Sequence, residues 1–339
     1  MSRAASLVAA LLLAACAGAG GVQRSELPAS PVALLQRSEE EALRRLDALR
    51  DLEKRQEAGL REGIVLLENL DGMFGGSPEV ERRLRQVQGH LALLDPRTGQ
   101  TERIENAPPQ ARPVAWSPDR RRLLVAGTWR QQRQLFAWDR ETRRIEIVTA
   151  GPAHHPSGCW TGDGRLVAVE VAREELANAP SRIVASQPGG GALSPVDATE
   201  AIHLGIACSP KAAEIVFVRL DPEQGRPRLF VQSLDPPGGP REVAVGANPV
   251  FAPDGEWIVY VAPTTRGQRL FRVRRDGAGR TALGAGTSDE NFPAVAPDGR
   301  YVAFVASDEN QRERVWVRRM DGTGDRPLLS TGDGSVPVW

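Results

Sequence analysis

The chain reads as an all-β protein: a six-bladed β-propeller closed by both termini, with a preceding N-terminal helix. Three observations carry that reading. Residues 251–262 (Phe-Ala-Pro-Asp-Gly-Glu-Trp-Ile-Val-Tyr-Val-Ala) return 44 positions later as residues 295–306 (Val-Ala-Pro-Asp-Gly-Arg-Tyr-Val-Ala-Phe-Val-Ala). The residue ahead of this turn recurs as Trp116, Trp160, Cys208, Phe251, Val295 and Trp339, at intervals of 44, 48, 43, 44 and 44. Short apolar strands at that period, punctuated by Asp-Gly turns, mark propeller blades. Finally, the chain stops on a lone innermost strand, residues 335–339, while three N-terminal strands lack a first.

Each blade can be read in order. The turn Trp116-Ser117-Pro118-Asp119 is a close copy of Phe251-Ala252-Pro253-Asp254, Trp160-Thr161-Gly162-Asp163-Gly164 is a variant, and Cys208-Ser209-Pro210-Lys211 keeps only the proline. Second strands are expected at 122–126, 165–171, 214–218, 257–262 and 301–306. Third strands are expected at 134–139, 182–186, 228–234, 269–274 and 314–320. They alternate or run apolar, as half-buried and buried strands do. Short outer strands follow, for example at 145–149 and 241–245. At the N-terminal end, 63–68, 90–95 and 101–105 supply three strands, and 335–339 completes their blade. That closure removes the open sheet edges and makes the count six.

The segment ahead of the blades divides into three. Arg3, an apolar run over 4–13 and Leu13-Ala14-Ala15-Cys16 resemble a bacterial lipoprotein signal. The resemblance implies a signal peptide over 1–15 and lipidation of Cys16. Ala17, rather than Asp, implies the inner leaflet of the outer membrane. No other apolar run approaches the length of a membrane-spanning helix. Residues 16–37, rich in Gly and Pro, read as a lipid-anchored flexible tether. Residues 38–60 read as a helix, with Ser38 and Glu41 forming a capping box. Its leucines (Leu43, Leu46, Leu49, Leu52) step by three and drift around the helix, so packing on the propeller or a solvated stalk is expected rather than a coiled-coil dimer. The propeller is placed at 61–339.

Composition narrows the function classes. The 43 basic and 43 acidic side chains cancel, which gives no bulk reason to expect nucleic acid as a partner. Three cysteines in 339 residues make no disulfide framework. Cys159 and Cys208 could pair in an oxidising compartment. Because Cys208 aligns with Trp160 and not with Cys159, the reading is of two buried free thiols on different sides of neighbouring strands.

The loops are unequal. Turns between strands one and two, and between three and four, are tight and share one face. Connections between strands two and three and from blade to blade share the other, and are long at 70–88, 172–181, 219–227 and 263–268. Residues 70–88 also carry a short-helix signal, with Ser77 as N-cap and Pro78 at the first helical position. Binding residues concentrate on loops held by a rigid scaffold, so the long-loop face is the expected working face.

The Pro-Asp-Gly blades resemble the TolB-type repeat, also called PD40 or WD40-like, over roughly residues 61–339. The resemblance implies a periplasmic interaction platform. It differs from TolB in lacking a sizeable α/β domain ahead of the blades, which puts a Tol–Pal partnership in doubt. It differs from prolyl-oligopeptidase-type enzymes, which carry the same blade, in lacking a hydrolase domain and a Gly-x-Ser-x-Gly elbow.

Candidate site residues follow from deviations in the repeat. His155, His203 and Glu290 each stand five residues before the anchor of their blade, and are expected near the channel mouth on the long-loop face with Asn291. Two His and a carboxylate have the chemistry of a divalent-metal site, but solvated loop residues are the plainer reading, so no metal or other cofactor is assigned. Arg120, Arg121 and Arg122 make the first whole blade basic and suit an acidic partner or anionic wall or lipid groups. The recurring Asp119, Asp163, Asp254 and Asp298 are turn chemistry rather than catalysis.

The expected function is a non-enzymatic, lipid-anchored periplasmic scaffold that binds envelope proteins through its long-loop face. The alternatives are a channel-mouth metal-dependent hydrolase or lactonase, and a sensor of glycans or peptides.

Overall fold

Six four-stranded antiparallel sheets stand around a common centre. The computed structural model describes residues 21–38, 40–41, 89–172, 180–196, 201–220, 225–265, 267–284, 289–307, 312–329 and 333–339. Blade 1 holds β1 (Val32–Arg37), β2 (His90–Leu94) and β3 (Thr101–Arg103). Blade 2 holds β4 (Arg112–Trp116), β5 (Arg122–Trp129), β6 (Gln132–Asp139) and β7 (Ile145–Ile147). Blade 3 holds β8 (His154–Trp160), β9 (Leu166–Val171), β10 (Ser181–Gln187) and β11 (Gly190–Pro195). Blade 4 holds β12 (Ile202–Cys208), β13 (Glu214–Leu220), β14 (Pro227–Ser233) and β15 (Arg241–Val245). Blade 5 holds β16 (Ala247–Phe251), β17 (Trp257–Thr264), β18 (Gly267–Arg274) and β19 (Thr281–Ala282). Blade 6 holds β20 (Glu290–Val295), β21 (Tyr301–Ser307), β22 (Glu313–Arg319) and β23 (Arg326–Pro327). The last strand, β24 (Asp333–Val338), joins blade 1 in the order β24-β1-β2-β3. The first strand of every blade touches the first strands of its neighbours, which closes the ring.

Closure by both termini is therefore as expected, but one N-terminal participant differs. The second strand of blade 1 is Val32–Arg37, inside the segment read as a flexible tether. Ala33 pairs with Val338 on one side and Leu93 on the other. Residues 63–68, expected to be this strand, lie outside the described residues, as does the rest of the helix expected over 38–60. Prolines 28 and 31 precede β1 and suggested a tether, yet Val32, Ala33, Leu34 and Leu35 are all buried. A run apolar on both faces is what a strand packed between two blades requires. The Ser38–Glu41 capping box is formed: the Ser38 N–H donates to Glu41 Oε2 at 2.7 Å and the Glu41 N–H to Ser38 Oγ at 3.2 Å. These residues follow β1, so residues 42–88 lie in sequence between the second and third strands of blade 1.

The core is divided between the blades. Among the described residues six apolar clusters form, one at each interface between neighbouring blades. Alternate side chains of a strand point to opposite faces, so each blade contributes to two clusters. The repeated anchors Trp116, Trp160, Phe251, Val295 and Trp339 are all buried there.

Tight turns gather on one face. In blade 2 the Arg140 N–H donates to Arg121 O at 2.9 Å, tying the turn between strands three and four to that between one and two. Blades 5 and 6 repeat this with Arg275 to Glu256 and Met320 to Arg300. The turns need a residue with φ > 0, and Gly164, Gly255 and Gly299 supply it at 83°, 73° and 70°. Asp254 Oδ1 and Asp298 Oδ1 accept backbone N–H groups two residues on, as Asx turns do.

Cys159 and Cys208 form a disulfide, contrary to the free-thiol expectation, with Cα atoms 5.6 Å apart. The one-residue offset in the repeat is what brings them together. One side of β8 faces blade 4, and the opposite side of β12 faces back toward blade 3. Residues equivalent in phase would point the same way around the ring and never meet.

Candidate functional site

The residues marked out in the sequence separate into buried ties between blades and an exposed basic edge. His155 is 3% exposed, and its Nδ1 lies 3.1 Å from Gln134 Oε1 on β6 of the preceding blade. That oxygen also accepts from Thr149 Oγ1 at 2.7 Å, and Thr149 Oγ1 in turn accepts the Leu135 N–H at 2.8 Å. An amide oxygen only accepts, so His155 donates through Nδ1. Its Nε2 faces Glu170 at 3.5 Å. Burial holds the imidazole below its ordinary range, with Glu170 opposing the shift.

His203 is 1% exposed. Its N–H donates to Ser181 Oγ on β10 of the preceding blade at 3.0 Å, and its Nδ1 lies 3.1 Å from the same oxygen. Arg219 Nε donates to Nε2 at 3.4 Å. Glu290 is also 1% exposed. Oε2 accepts the Leu270 N–H on β18 of the preceding blade at 2.9 Å, and Oε1 accepts from Arg318 Nη2 at 2.7 Å. Arg318 also donates to Asp325 and to the Leu283 carbonyl. Burial alone would lower the Arg318 pKa, but Asp325 and Glu290 more than offset it, and the net shift is upward.

These three positions thus do one job. The residue five before the anchor reaches back and ties the first strand to the third strand of the blade before it. The plainer reading of solvated loop residues is corrected: all three are buried, and their polar atoms are used between blades 2 and 3, 3 and 4, and 5 and 6. They do not converge on one another, and among the described residues no three His, Cys, Asp or Glu side chains are grouped to hold a metal ion. Asn291 is half-buried and accepts from Asn248 Nδ2 at 2.6 Å, a further tie between blades 5 and 6.

The arginines behave differently. Arg120 occupies the turn position filled by Gly164, Gly255 and Gly299 and adopts the same backbone, with φ 61°. Its N–H donates to Ser117 O at 2.8 Å, matching Gly255 to Ala252 at 2.9 Å. Its guanidinium lies 5.2 Å from the Trp116 ring centroid, and its buried Nη2 has no acceptor. Arg121 and Arg122 are exposed. Arg121 pairs with Glu141 at 2.7 Å, and Arg122 lies 5.3 Å from the Trp160 ring of blade 3.

Sequence reasoning missed Trp129, which is 50% exposed. It opens a two-residue hairpin on the long-loop face, paired with Gln132 across Arg130 and Gln131, whose φ angles are 48° and 69°. Two positive φ values make this a type I′ turn. Arg130 lies 5.8 Å from the Trp129 ring centroid. The missing signal was the blade repeat: the other tryptophans are buried or half-buried against the core clusters, whereas this one falls beyond the last buried residue of its strand. The long loops otherwise fall largely outside the described residues, and Cys16 lies outside them entirely. No described helix is long and apolar enough to cross a membrane.

No protein-family model matches the chain. It is 24% identical over 270 residues to a protein of Agrobacterium fabrum described only as uncharacterized, covering 75% of this chain and 89% of that one. Among solved structures it is similar to TolB of Acinetobacter baumannii (TM-score 0.60, 15% identity, 74% of this chain). It is also similar to a protein of Agrobacterium tumefaciens provisionally named TolB (TM-score 0.58, 20% identity, 71% of this chain and 88% of that one). The match spans 62% of the Acinetobacter TolB chain. An enzyme, an oligogalacturonate lyase in complex with manganese, shares the fold at TM-score 0.50 and 15% identity over 71% of this chain and 70% of that one. These likenesses establish a TolB-like six-bladed propeller.

Proposed function

We propose that this propeller is a non-enzymatic scaffold of the cell envelope, exported, lipid-anchored through Cys16 to the inner leaflet of the outer membrane, and docking an envelope protein through its long-loop face. The observation that carries the docking reading is Trp129 with Arg130 at the tip of a rigid hairpin. Interface hot spots are rich in Trp and Arg, and a two-residue turn on a blade presents them with little entropy to lose. The Cys159–Cys208 disulfide supports export, since such bonds persist in oxidising compartments. The likeness to TolB supports an envelope setting.

The test uses a photo-crosslinking residue placed at Trp129 or Gln131 in cells, against Thr98 on the short-turn face. A discrete adduct with one envelope protein from the first two positions, weakened by Arg130→Ala, is expected. Turnover of small esters or of oligogalacturonate by the purified protein, with no adduct from any position, would replace the scaffold with an enzyme. Fractionation tests the anchor: Cys16→Ala should leave the membrane fraction.

A further inference from the structure

The chain from Gly21 onward is not free. The Val22 N–H donates to Gly324 O at 3.2 Å, and Arg326 Nη1 donates to Val22 O at 3.1 Å. Arg24 Nη2 reaches Leu328 O at 2.9 Å, and Arg97 Nε reaches Leu27 O at 2.7 Å. Val22 and Leu27 are buried in the cluster between blades 6 and 1. Residues 21–30 are therefore a strap fastened across the short-turn face. Only five peptide steps separate Cys16 from Gly21, which at full extension is about 18 Å. If Cys16 carries lipid, as proposed above, the short-turn face has little freedom to turn away from the bilayer.

The same face carries cations without partners. The strap meets β24 where Trp339 Nε1 donates to Ser30 O at 3.0 Å, and β24 meets blade 2 where Trp116 Nε1 donates to Val338 O at 3.2 Å. Arg120 lies against that Trp116. Among the described residues, no carboxylate lies within ion-pair distance of Arg120, Arg140 or Arg144. The nearby Arg121 and Arg143 are paired, with Glu141 and Glu102. Asp119 and Asp139 are turned onto their own turns, accepting from the Arg121 and Thr142 N–H groups. Burial and then the adjacent Arg140 push the Arg120 guanidinium down to about 10, the mark of a cation short of counter-charge. An arginine held at φ 61° where three other blades have glycine is locally unfavourable, and such departures collect at functional positions.

We propose that the short-turn face around the strap and blade 2 lies against the membrane, with Arg120, Arg140 and Arg144 seating anionic lipid headgroups. This rests on the anchored reading above and deepens it, because it leaves Trp129 on the face turned away from the bilayer.

The experiment uses the chain from residue 16 with Cys16→Ser, so that no lipid is attached. It should sediment with vesicles of phosphatidylglycerol and phosphatidylethanolamine, less so as salt is added, and not with phosphatidylcholine alone. Arg120→Gly, Arg140→Gln and Arg144→Gln should each lower the partition roughly fivefold, and together on the order of 100-fold. Arg120→Gly restores the residue of blades 3, 5 and 6, so a melting temperature at or above that of the parent shows that the loss is not misfolding. Arg130→Gln, on the other face, should change nothing. Failure of the unlipidated chain to bind phosphatidylglycerol vesicles, or equal binding by the triple variant, overturns the proposal. Stabilisation by inorganic phosphate without vesicle binding overturns it too and makes the cluster a free-anion site. Because the assayed chain lacks lipid, these results are separate from the fractionation that tests Cys16.

Discussion

The indole of Trp339, the last residue, donates to the carbonyl of Ser30, 309 positions earlier, at 3.0 Å. The bond joins the C-terminal strand to the N-terminal strap, and the ring is packed in the cluster between blades 6 and 1. Trp339→Ala should remove about 3–5 kcal/mol of stability, the range for emptying a buried aromatic site. Trp339→Phe keeps the packing and loses the hydrogen bond, at about 1 kcal/mol. Urea denaturation midpoints for the two variants check both. Equal midpoints for Trp339→Ala and the parent would mean that the ring is not latched there.

The disulfide joins strands in adjacent blades across a separation of 49 residues. In the chain-entropy account, closing a loop of that length stabilises by about 4 kcal/mol. Cys159→Ser/Cys208→Ser should lower stability by about 2–4 kcal/mol, and reduction of the parent should match it. A peptide map without reductant should show the two cysteines in one linked fragment.

Acid should weaken the molecule through His155 and His90 before its carboxylates titrate. His155 and His90 are both held below their ordinary value of 6.5, in each case chiefly by burial. A histidine with a depressed folded-state pKa adds no penalty above its unfolded value, and stability is lost as pH falls from there through the folded value. The melting temperature should therefore decline as pH falls below about 6.5, and His155→Gln should flatten part of that decline while being less stable at pH 7.5. An unchanged slope in His155→Gln would assign the effect to other groups.

Glu290 and Arg318 form a buried pair whose separate halves are worse than none. Glu290→Ala leaves Arg318 with less counter-charge and the Leu270 N–H unpaired, and should be destabilising by about 3–5 kcal/mol. Glu290→Leu combined with Arg318→Met should recover the part of that loss due to the unbalanced Arg318 charge, with the Leu270 N–H still unpaired, measured as denaturant midpoints of the singles and the double.

The blade repeat was legible because its signals are local. A Pro-Asp-Gly turn between apolar runs states its own conformation, and its period counts the blades. Residues such as His155, His203 and Glu290 were marked by that register, but their role was not, because it depends on which side chain of the preceding blade stands opposite. The same holds for Cys159 and Cys208, whose phase difference argues against pairing within one aligned repeat and for pairing across two. Val32–Arg37 escaped because four apolar residues in a row, just after two prolines, carry no periodicity of either kind.

From the order of its residues alone, this chain determined an all-β six-bladed ring, its closure by a C-terminal strand, and the face on which its tight turns lie. These follow from strand length, turn chemistry and repetition, which act over a few residues at a time. The tertiary structure alone decided which N-terminal segment completes blade 1, that the repeated His and Glu positions are inter-blade ties, that two cysteines meet, and that Arg120 and Trp129 are left with chemistry to spare. Those outcomes turn on contacts between residues distant in sequence, where burial and partner geometry, rather than local preference, set the free energy.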